Sequence, residues 1–504
     1  MVVYSYILNM KITASKLYDY LQCPHRPWRD VHGPQEEKSQ EINAFIQLLW
    51  ERGVAHEEKV IGRIGEFVNI KEFPYAERQA ETLKALKSGA ELIYQGVLET
   101  DDLFGIPDLI QKMPDGSYMP IDIKSGMALE GVDEETDAEG KPKKHYAVQL
   151  CLYNELLRPA GFADHYQGKI IDASCSGVVY NLTDSMGVRN KTTWLEFYEK
   201  TKNEVGLLLE NKVSNDPATA GVCKLCPWYD SCKKWCIDNN DLSNIFYLGR
   251  SIREVLQQDL HITKVPDLLD LDVVDLLEQK KKDKTFLPGL GEKTLNRNIK
   301  RAKVMVEGKP VAYEPIEFPE VTYELFFDIE DDPTQEFVYL HGVYERTPKG
   351  ERFLDFTARE TTPEAEQEAW SRFWDYIKSL PKDDFSVYYY SHHEKTTYKK
   401  MQKKYPDVIS EKEVCDFFDN PNVIDLYKVV TQKTDWPLSS YSIKALAVYL
   451  GFEWRDKTPS GALSIQWFND YLETKNEEIM KRILEYNEDD CKATMVLKDG
   501  ITKL

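Results

Sequence analysis

The sequence predicts an α/β protein in three parts, two α/β domains flanking a small all-helical one. Three observations carry that expectation. The chain has 504 residues, which suits about three domains at roughly 150 residues each. Its 42% hydrophobic and 12% aromatic content is that of a globular chain, not a disordered one. Charge is unevenly spread: residues 1–240 sum to −9, residues 241–310 to +2 and residues 311–504 to −14.

Within 11–236, apolar residues recur at helical spacing over 39–65, 76–95, 145–157 and 191–212, with short strands such as LFGIPDLIQKM and MPIDIKS between them. The polar stretch GVDEETDAEGKPKK (131–144) interrupts that pattern and reads as a mobile surface loop. Residues 241–306 read as all-helical. VEGKPVAYEPIEFPE, with Pro310, Pro315 and Pro319, has few helix-compatible positions and reads as an extended linker. Residues 322–345 read as paired strands, followed by alternating helices and strands. The expected domains are therefore 1–240, 241–310 and 311–504.

Several classes are excluded. No apolar run approaches the ~20 residues of a membrane helix. The start, MVVYSYILNMK, lacks a basic n-region and a small-residue cleavage site, so no signal peptide is expected and the expected location is cytoplasmic. Nine cysteines in so long a chain are no disulfide scaffold. The net charge of −21 argues at first sight against a nucleic-acid partner. Yet residues 280–310 hold ten Lys/Arg against three acidic residues.

Chemistry-bearing residues fall into four groups. Cys223, Cys226 and Cys232 form a C-x2-C-x5-C run, and Cys23 in LQCPHRPW lies about 200 residues upstream. Clustered thiolates suit zinc or an iron–sulfur cluster, each with four Cys ligands; spacing fits both, and Cys236 is a rival fourth ligand. A metal joining the start of the domain to its end would contribute to folding itself.

The second group lies between the cysteines: Asp108 after Gly105-Ile-Pro, then Asp122-Ile123-Lys124 on a predicted strand, with Asp122 and Lys124 on one face. Two carboxylates can hold Mg2+ or Mn2+, and an adjacent ammonium can orient water or stabilise charge. Gln149 and Tyr153 share a helix face, and His56 in RGVAHE sits in a helical pattern upstream.

The third group is FLPGLGEKTLNRNIKRAK (286–303). Gly289 and Gly291 would let backbone N–H groups approach a phosphate, while Lys293, Arg297, Lys300, Arg301 and Lys303 can contact phosphates without regard to sequence. The alternative is a C-cap glycine beside a solvated basic face.

The fourth group is acidic. Asp328 and Glu330 in YELFFDIEDD face one way on an apolar strand. Tyr486 and Asp490 follow at helical i, i+4 spacing in LEYNEDDCKAT, with Asp489 as a register rival. Between them lie Glu394, after His392 and His393, and Asp425 in NVIDLYK. Such carboxylates can bridge two divalent cations about 4 Å apart on a phosphodiester.

Taken in order, Cys23, Gly53 to His56, Asp108, Asp122 to Lys124, Gln149 to Tyr153 and the three later cysteines resemble the RecB-like branch of the PD-(D/E)XK nucleases. CRISPR adaptation nucleases and the AddB nuclease domain belong to that branch. The resemblance covers about residues 12–236. It implies a restriction-endonuclease-like fold, with a 4Fe–4S cluster on Cys23, Cys223, Cys226 and Cys232. It further implies metal ligands at His56, Asp108, Asp122 and the Ile123 carbonyl, a water-assisting Lys124, and DNA positioning by Gln149 and Tyr153. The LPGLG turn resembles helix–hairpin–helix DNA-binding modules. D328-I-E330 with Tyr486-x-x-x-Asp490, and the SYSIKAL stretch at 440–446, resemble RNase H-like exonucleases of the DnaQ type over about 322–497. That implies ligands at Asp328, Glu330 and Asp490, a water-orienting Tyr486, and Glu394 where the family usually has Asp, with Asp425 as runner-up.

The whole resembles nucleases that fuse a RecB-like to an RNase H-like domain. It implies a metal-dependent exonuclease on single-stranded DNA, with two acidic sites and a role in repair or CRISPR-type defence. RNA stays open as a substrate, because nothing in the sequence reads a 2′-OH. Two other readings remain. In one, a single active domain uses the RNase H-like part as a binding platform. In the other, a non-catalytic redox-responsive protein binds nucleic acid through its cluster.

Overall fold

A computed structural model describes residues 10–41, 43–131, 140–158, 161–162, 166–187, 190–213 and 215–504. Most of the polar stretch 131–144 therefore lies outside the described residues. The chain divides into two compact units, one running to Pro217 and including Val222–Ser231, the other comprising Ala218–Gly221 and Cys232–Leu504.

The first unit is built on a six-stranded sheet. Its strands are β1 (Val68–Asn69), β2 (Leu92–Tyr94), β3 (Leu109–Lys112), β4 (Tyr118–Ile123), β5 (Gln167–Ile171) and β6 (Gly177–Asn181), in the spatial order β6-β5-β4-β3-β2-β1. β3 and β4 form an antiparallel hairpin, and β5 returns parallel to β4 after a helical crossover. That crossover is the helix Lys144–Leu157, which buries Ala147, Leu150, Leu152 and Leu157 and packs on β4 and β5. All six residues of β4 are buried, so it is a central strand that carries Asp122 into the interior. Helix Trp194–Leu209 starts at a capping box of Thr193 and Glu196, which satisfies otherwise orphaned N–H groups.

The second unit holds the helical segment and the second sheet together. Helices Gly249–Leu260, Val273–Lys282 and Glu292–Glu307 enclose an aliphatic core of Leu256, Leu276, Leu287, Leu290 and Leu295. The sheet strands are β7 (Tyr323–Asp332), β8 (Phe337–Thr347), β9 (Gly350–Thr357), β10 (Phe385–Tyr389) and β11 (Val423–Asp425), in the order β9-β8-β7-β10-β11. The β7-β8-β9 meander is antiparallel, whereas β10 and β11 run parallel to β7. The final helix, Glu477–Ile501, lies across β7 and β8. The proline-bearing segment after residue 307 is irregular apart from Val311–Ala312, which pairs with Thr434–Asp435.

Arg301 corrects one expectation. It was expected at a phosphate-binding surface but is buried, donating to Asp435 Oδ1 at 2.7 Å and to the Phe246 carbonyl at 2.7 Å. The 3.6-residue period puts it on the same face as Asn298 and Ala302, which point into the core. Lys293, Lys300 and Lys303 keep exposed positions on the same helix. Removing one partner of a buried ion pair strands the other charge and costs about 3–5 kcal/mol. Arg301→Ala should therefore lower the urea midpoint of the second unit by that equivalent, and an unchanged midpoint would contradict the assignment.

Candidate active sites

In the first unit, Asp108 sits immediately before β3 and Asp122 near the end of β4, and the two strands pair with Leu109 opposite Ile121. The hairpin register thus brings together two carboxylates that lie 14 residues apart in sequence. The Ile123 N–H donates to Asp108 Oδ2 at 2.7 Å, and Gln95 Nε2 donates to Asp108 Oδ1 at 2.9 Å. Lys124 Nζ forms an ion pair with Asp122. Burial, then the neighbouring Asp122, raises the Asp108 carboxyl well above the usual range, against the pull of Lys124 and the Ile123 N–H. Burial works against the Lys124 charge, but Asp122 and Asp108 outweigh it and raise its pKa.

Gln149 Nε2 donates to the Tyr153 hydroxyl at 2.8 Å, and that hydroxyl donates to the Ile106 carbonyl at 3.3 Å. Gly105 permits this packing: a Cβ there would lie 2.9 Å from the Tyr153 ring. Lys124, Gln149 and Tyr153 line one cavity of about 730 Å3. His56 is on helix Ala44–Ile61, and its Nε2 is buried with no hydrogen-bond partner among the described residues. Its neighbour Glu57 accepts from Tyr94 OH and, like Asp108, from Gln95. Glu57 and Gln95 escaped the sequence reading. Adjacency to His56 was the one available signal for Glu57, and Gln95 had none.

Around the cysteines, Cys226 feels Cys23 and Cys223 electrostatically; burial is the largest influence and raises its thiol pKa, and the two thiols add to that. Three ligating atoms drawn within 4.8 Å of one another occur, among the described residues, at one place only, and it is not here. Cys232 and Cys236 share the helix Tyr229–Asp238.

In the second unit that one place is Asp328, Glu330 and Asp490. The period-2 strand aims Asp328 and Glu330 at one face of β7, and the last helix brings Asp490 over them. Asn487, one helical turn before Asp490's neighbour Cys491, donates from Nδ2 to Asp328 Oδ2 at 2.8 Å and to Glu330 Oε1 at 3.4 Å. Trp454 Nε1 donates to Asp490 Oδ1 at 2.8 Å. Gly342 lies opposite Asp328 on β8, and a Cβ there would fall 1.6 Å from Asn487 Oδ1. The strand must carry glycine at that point for the helix to come this close.

Burial and then Asp490 raise the Glu330 carboxyl to about 8. The same two causes hold Asp328 well above the carboxylate range. Tyr486 accepts from Lys444 Nζ at 2.9 Å, and the same ammonium donates to the Pro459 carbonyl at 2.7 Å. Asp489 is engaged elsewhere by Arg455, through Nε at 2.9 Å and the backbone N–H at 2.8 Å.

Glu394 lies outside the trio but is buried, and its Oε2 has no hydrogen-bond partner among the described residues. Burial, then Asp425 and Asp331, raises its carboxyl. Asp425 caps the helix Leu426–Lys433, accepting the Tyr427 N–H at 3.0 Å. Sequence reasoning missed Lys444, Asn487, Trp454 and Gly342. Lys444 lies inside the SYSIKAL stretch, and Asn487 directly follows Tyr486.

In the helical segment, Gly289 has φ +74° and Gly291 is the N-cap of helix Glu292–Glu307. Lys280 Nζ ties the turn by donating to the Leu287 and Leu290 carbonyls, both at 2.6 Å.

Residues 13–233 match the family model of the PD-(D/E)XK nuclease superfamily, and residues 325–502 match that of the RNase H superfamily. The chain joins a PD-(D/E)XK nuclease domain to an RNase H-like domain. Each match encloses one of the two acidic sites. No curated protein matches the chain. Nucleases of both superfamilies use divalent metals such as Mg2+ or Mn2+. Among the described residues, no helix is long and apolar enough to cross a membrane.

The RNase H-like trio fits a divalent cation: three carboxylates lie within 4.8 Å of one another, and burial raises the pKa of all three, joined by Asp490 at Asp328 and Glu330 and by Asp489 at Asp490. A carboxyl held above its unfolded-state value stabilises the fold while protonated and loses that contribution as pH rises through its folded value. With EDTA present, the thermal midpoint of the RNase H-like domain should fall as pH rises from 4.5 to about 8. Mn2+ should restore it, and Glu330→Gln should flatten the slope. Calorimetry at several pH values checks this, and parallel slopes for parent and variant would refute it.

Proposed function

We propose that this metal-dependent nuclease hydrolyses phosphodiester bonds at both acidic sites, acting as an exonuclease on single-stranded DNA. The observation that carries the reading is the convergence of Asp328, Glu330 and Asp490 within 4.8 Å, in a domain separate from the Asp108–Asp122–Lys124 set. Asp328, Glu330 and Asp490 would hold a divalent cation in the RNase H-like site. The buried Oε2 of Glu394, without a partner among the described residues, suits a second. In the PD-(D/E)XK site, Asp108, Asp122 and the Ile123 carbonyl would hold the metal, with His56 Nε2, also without a partner among the described residues, as a further ligand. Such cations, when bound, stabilise the charge that develops on the attacking and leaving oxygens.

The chain's own groups do the positioning. Lys444 fixes the Tyr486 hydroxyl, which orients the attacking water, and Asn487 holds Asp328 and Glu330 in register. In the other domain, Lys124 orients water while Asp122 keeps it charged. Gln149 and Tyr153, locked to each other, set the phosphate against that ammonium. The helical turn around Gly289 and Gly291, with Lys293, Lys300 and the half-buried Arg297, would grip the nucleic-acid backbone. Cys23, Cys223 and Cys226, with Cys232 six residues further along the chain, would hold a 4Fe–4S cluster as structural ballast for the first domain.

Removing one hydrogen-bond donor aimed at transition-state charge costs about 10²–10³ in kcat, and loss of Lys124 or of the metal-holding Asp328 should cost at least that. Lys124→Ala and Asp328→Ala should each abolish one component of Mn2+-dependent cleavage of end-labelled single strands, and the double variant should abolish both. If neither single variant changes the products, the two-site reading is wrong. Anaerobically purified protein should contain iron, about four atoms per chain for one 4Fe–4S cluster, with a broad visible absorption. Zinc in its place would remove the cluster from the proposal.

A further inference from the structure

Beside Lys124, the cavity of the PD-(D/E)XK domain has an aromatic wall that neither metal binding nor water activation uses. Helix Ala14–Gln22 buries Leu17 in the core and turns the next residue, Tyr18, outward, where its side chain is 45% exposed. His145 and Tyr146 come from the first turn of the helix Lys144–Leu157. The Tyr18 and His145 rings meet edge to face with centroids 5.4 Å apart, and His145 and Tyr146 do so at 4.3 Å. All three rings line the same space of about 730 Å3 as Lys124, Gln149 and Tyr153. Lys124 Nζ is 5.6 Å from the Tyr146 ring centre, and Lys143 Nζ is 5.4 Å from it.

A core role accounts for Tyr146, which is buried. It does not account for Tyr18, which lines the cavity and meets His145 edge to face while remaining exposed instead of being packed away. Burial, reinforced by Lys143 and Lys124, holds the His145 pKa near 4, so at neutral pH it is a flat, uncharged ring. Two lysines at the border of an uncharged aromatic surface form the combination that binds single strands: cations for the phosphates and ring faces for the bases.

We propose that Tyr18 and His145, backed by Tyr146, form a nucleobase-stacking subsite that takes an unpaired base of the strand whose phosphate lies at Lys124. The proposal rests on reading this domain as a nuclease. A base inside a duplex has both faces covered by its neighbours, so the subsite accepts single strands and frayed ends and discriminates against closed duplex. Base faces are common to DNA and RNA, so the wall itself recognises unpaired bases of either.

The test uses the full chain carrying Asp328→Ala, in Ca2+ to suppress cleavage, and oligonucleotides bearing 2-aminopurine, whose fluorescence is quenched by stacking. DNA and RNA single strands and a DNA duplex of the same sequence are titrated. Both single strands should be quenched on binding, and the duplex should bind more weakly. Tyr18→Ala should weaken single-strand binding about tenfold, as expected for losing one stacked base, and remove much of the quench. Tyr18→Phe, which keeps the ring, should behave as the parent. Undiminished quenching in Tyr18→Ala/His145→Ala would overturn the proposal, as would equal binding of strand and duplex. If the quench behaves as expected but Lys124→Ala leaves Mn2+-dependent cleavage in the Asp328→Ala background unchanged, the stacking subsite stands and the nuclease reading of this domain falls.

Discussion

The second unit is organised around three carboxylates that repel one another. Asp328, Glu330 and Asp490 are drawn within 4.8 Å in surroundings that strip them of water, and bare like charges in such a place are costly. The fold opposes that repulsion with fixed groups: the Asn487 amide on two of the three, the Trp454 N–H on the third, and the Lys444 ammonium nearby. Asn487 reaches its partners only because β8 has no side chain at Gly342. The close approach of the final helix to the sheet is therefore a requirement of the site as much as of the core.

The PD-(D/E)XK domain meets the same constraint differently. Its two carboxylates are brought side by side by one hairpin, and the compensating cation, Lys124, comes from the residue immediately after β4 and pairs with Asp122. Asp108 takes a backbone N–H and the Gln95 amide, so much of its charge is met by fixed dipoles. Both domains hold buried polar atoms with no hydrogen-bond partner among the described residues, His56 Nε2 in one and Glu394 Oε2 in the other. A buried acceptor without a hydrogen-bond partner calls for an explanation, and a bound cation is one.

The net charge of −21 acquires a different meaning once its positions are known. Part of it is concentrated in carboxylates that a divalent cation would neutralise. The basic residues of 280–310 play different parts: Lys280 ties a turn, Arg301 is in an internal ion pair, Arg297 is half-buried, and Lys293, Lys300 and Lys303 face outward. A composition-level argument against nucleic acid thus fails, because it averages over groups with opposite roles.

Local periodicity made much of this protein readable in advance. The alternation in YELFFDIEDD placed Asp328 and Glu330 on one face, the i, i+4 spacing placed Tyr486 with Asp490, and Asp122-x-Lys124 shared a strand face. These relations are determined by the backbone repeat alone, so the sequence by itself determined them. It also determined the α/β class and the order of the acidic motifs. It could not show that Asn487, Lys444, Trp454 and Gly342 close around the trio, nor that Arg301 turns inward to Asp435. Those contacts join residues roughly 30 to 160 positions apart in the numbering, and which face of a helix meets which strand is decided by packing. The spacing from Tyr486 already favoured Asp490 over Asp489; only the tertiary structure decided which groups meet each of them, Trp454 at Asp490 and Arg455 at Asp489, because adjacent residues of a helix face different neighbours and packing sets which those are.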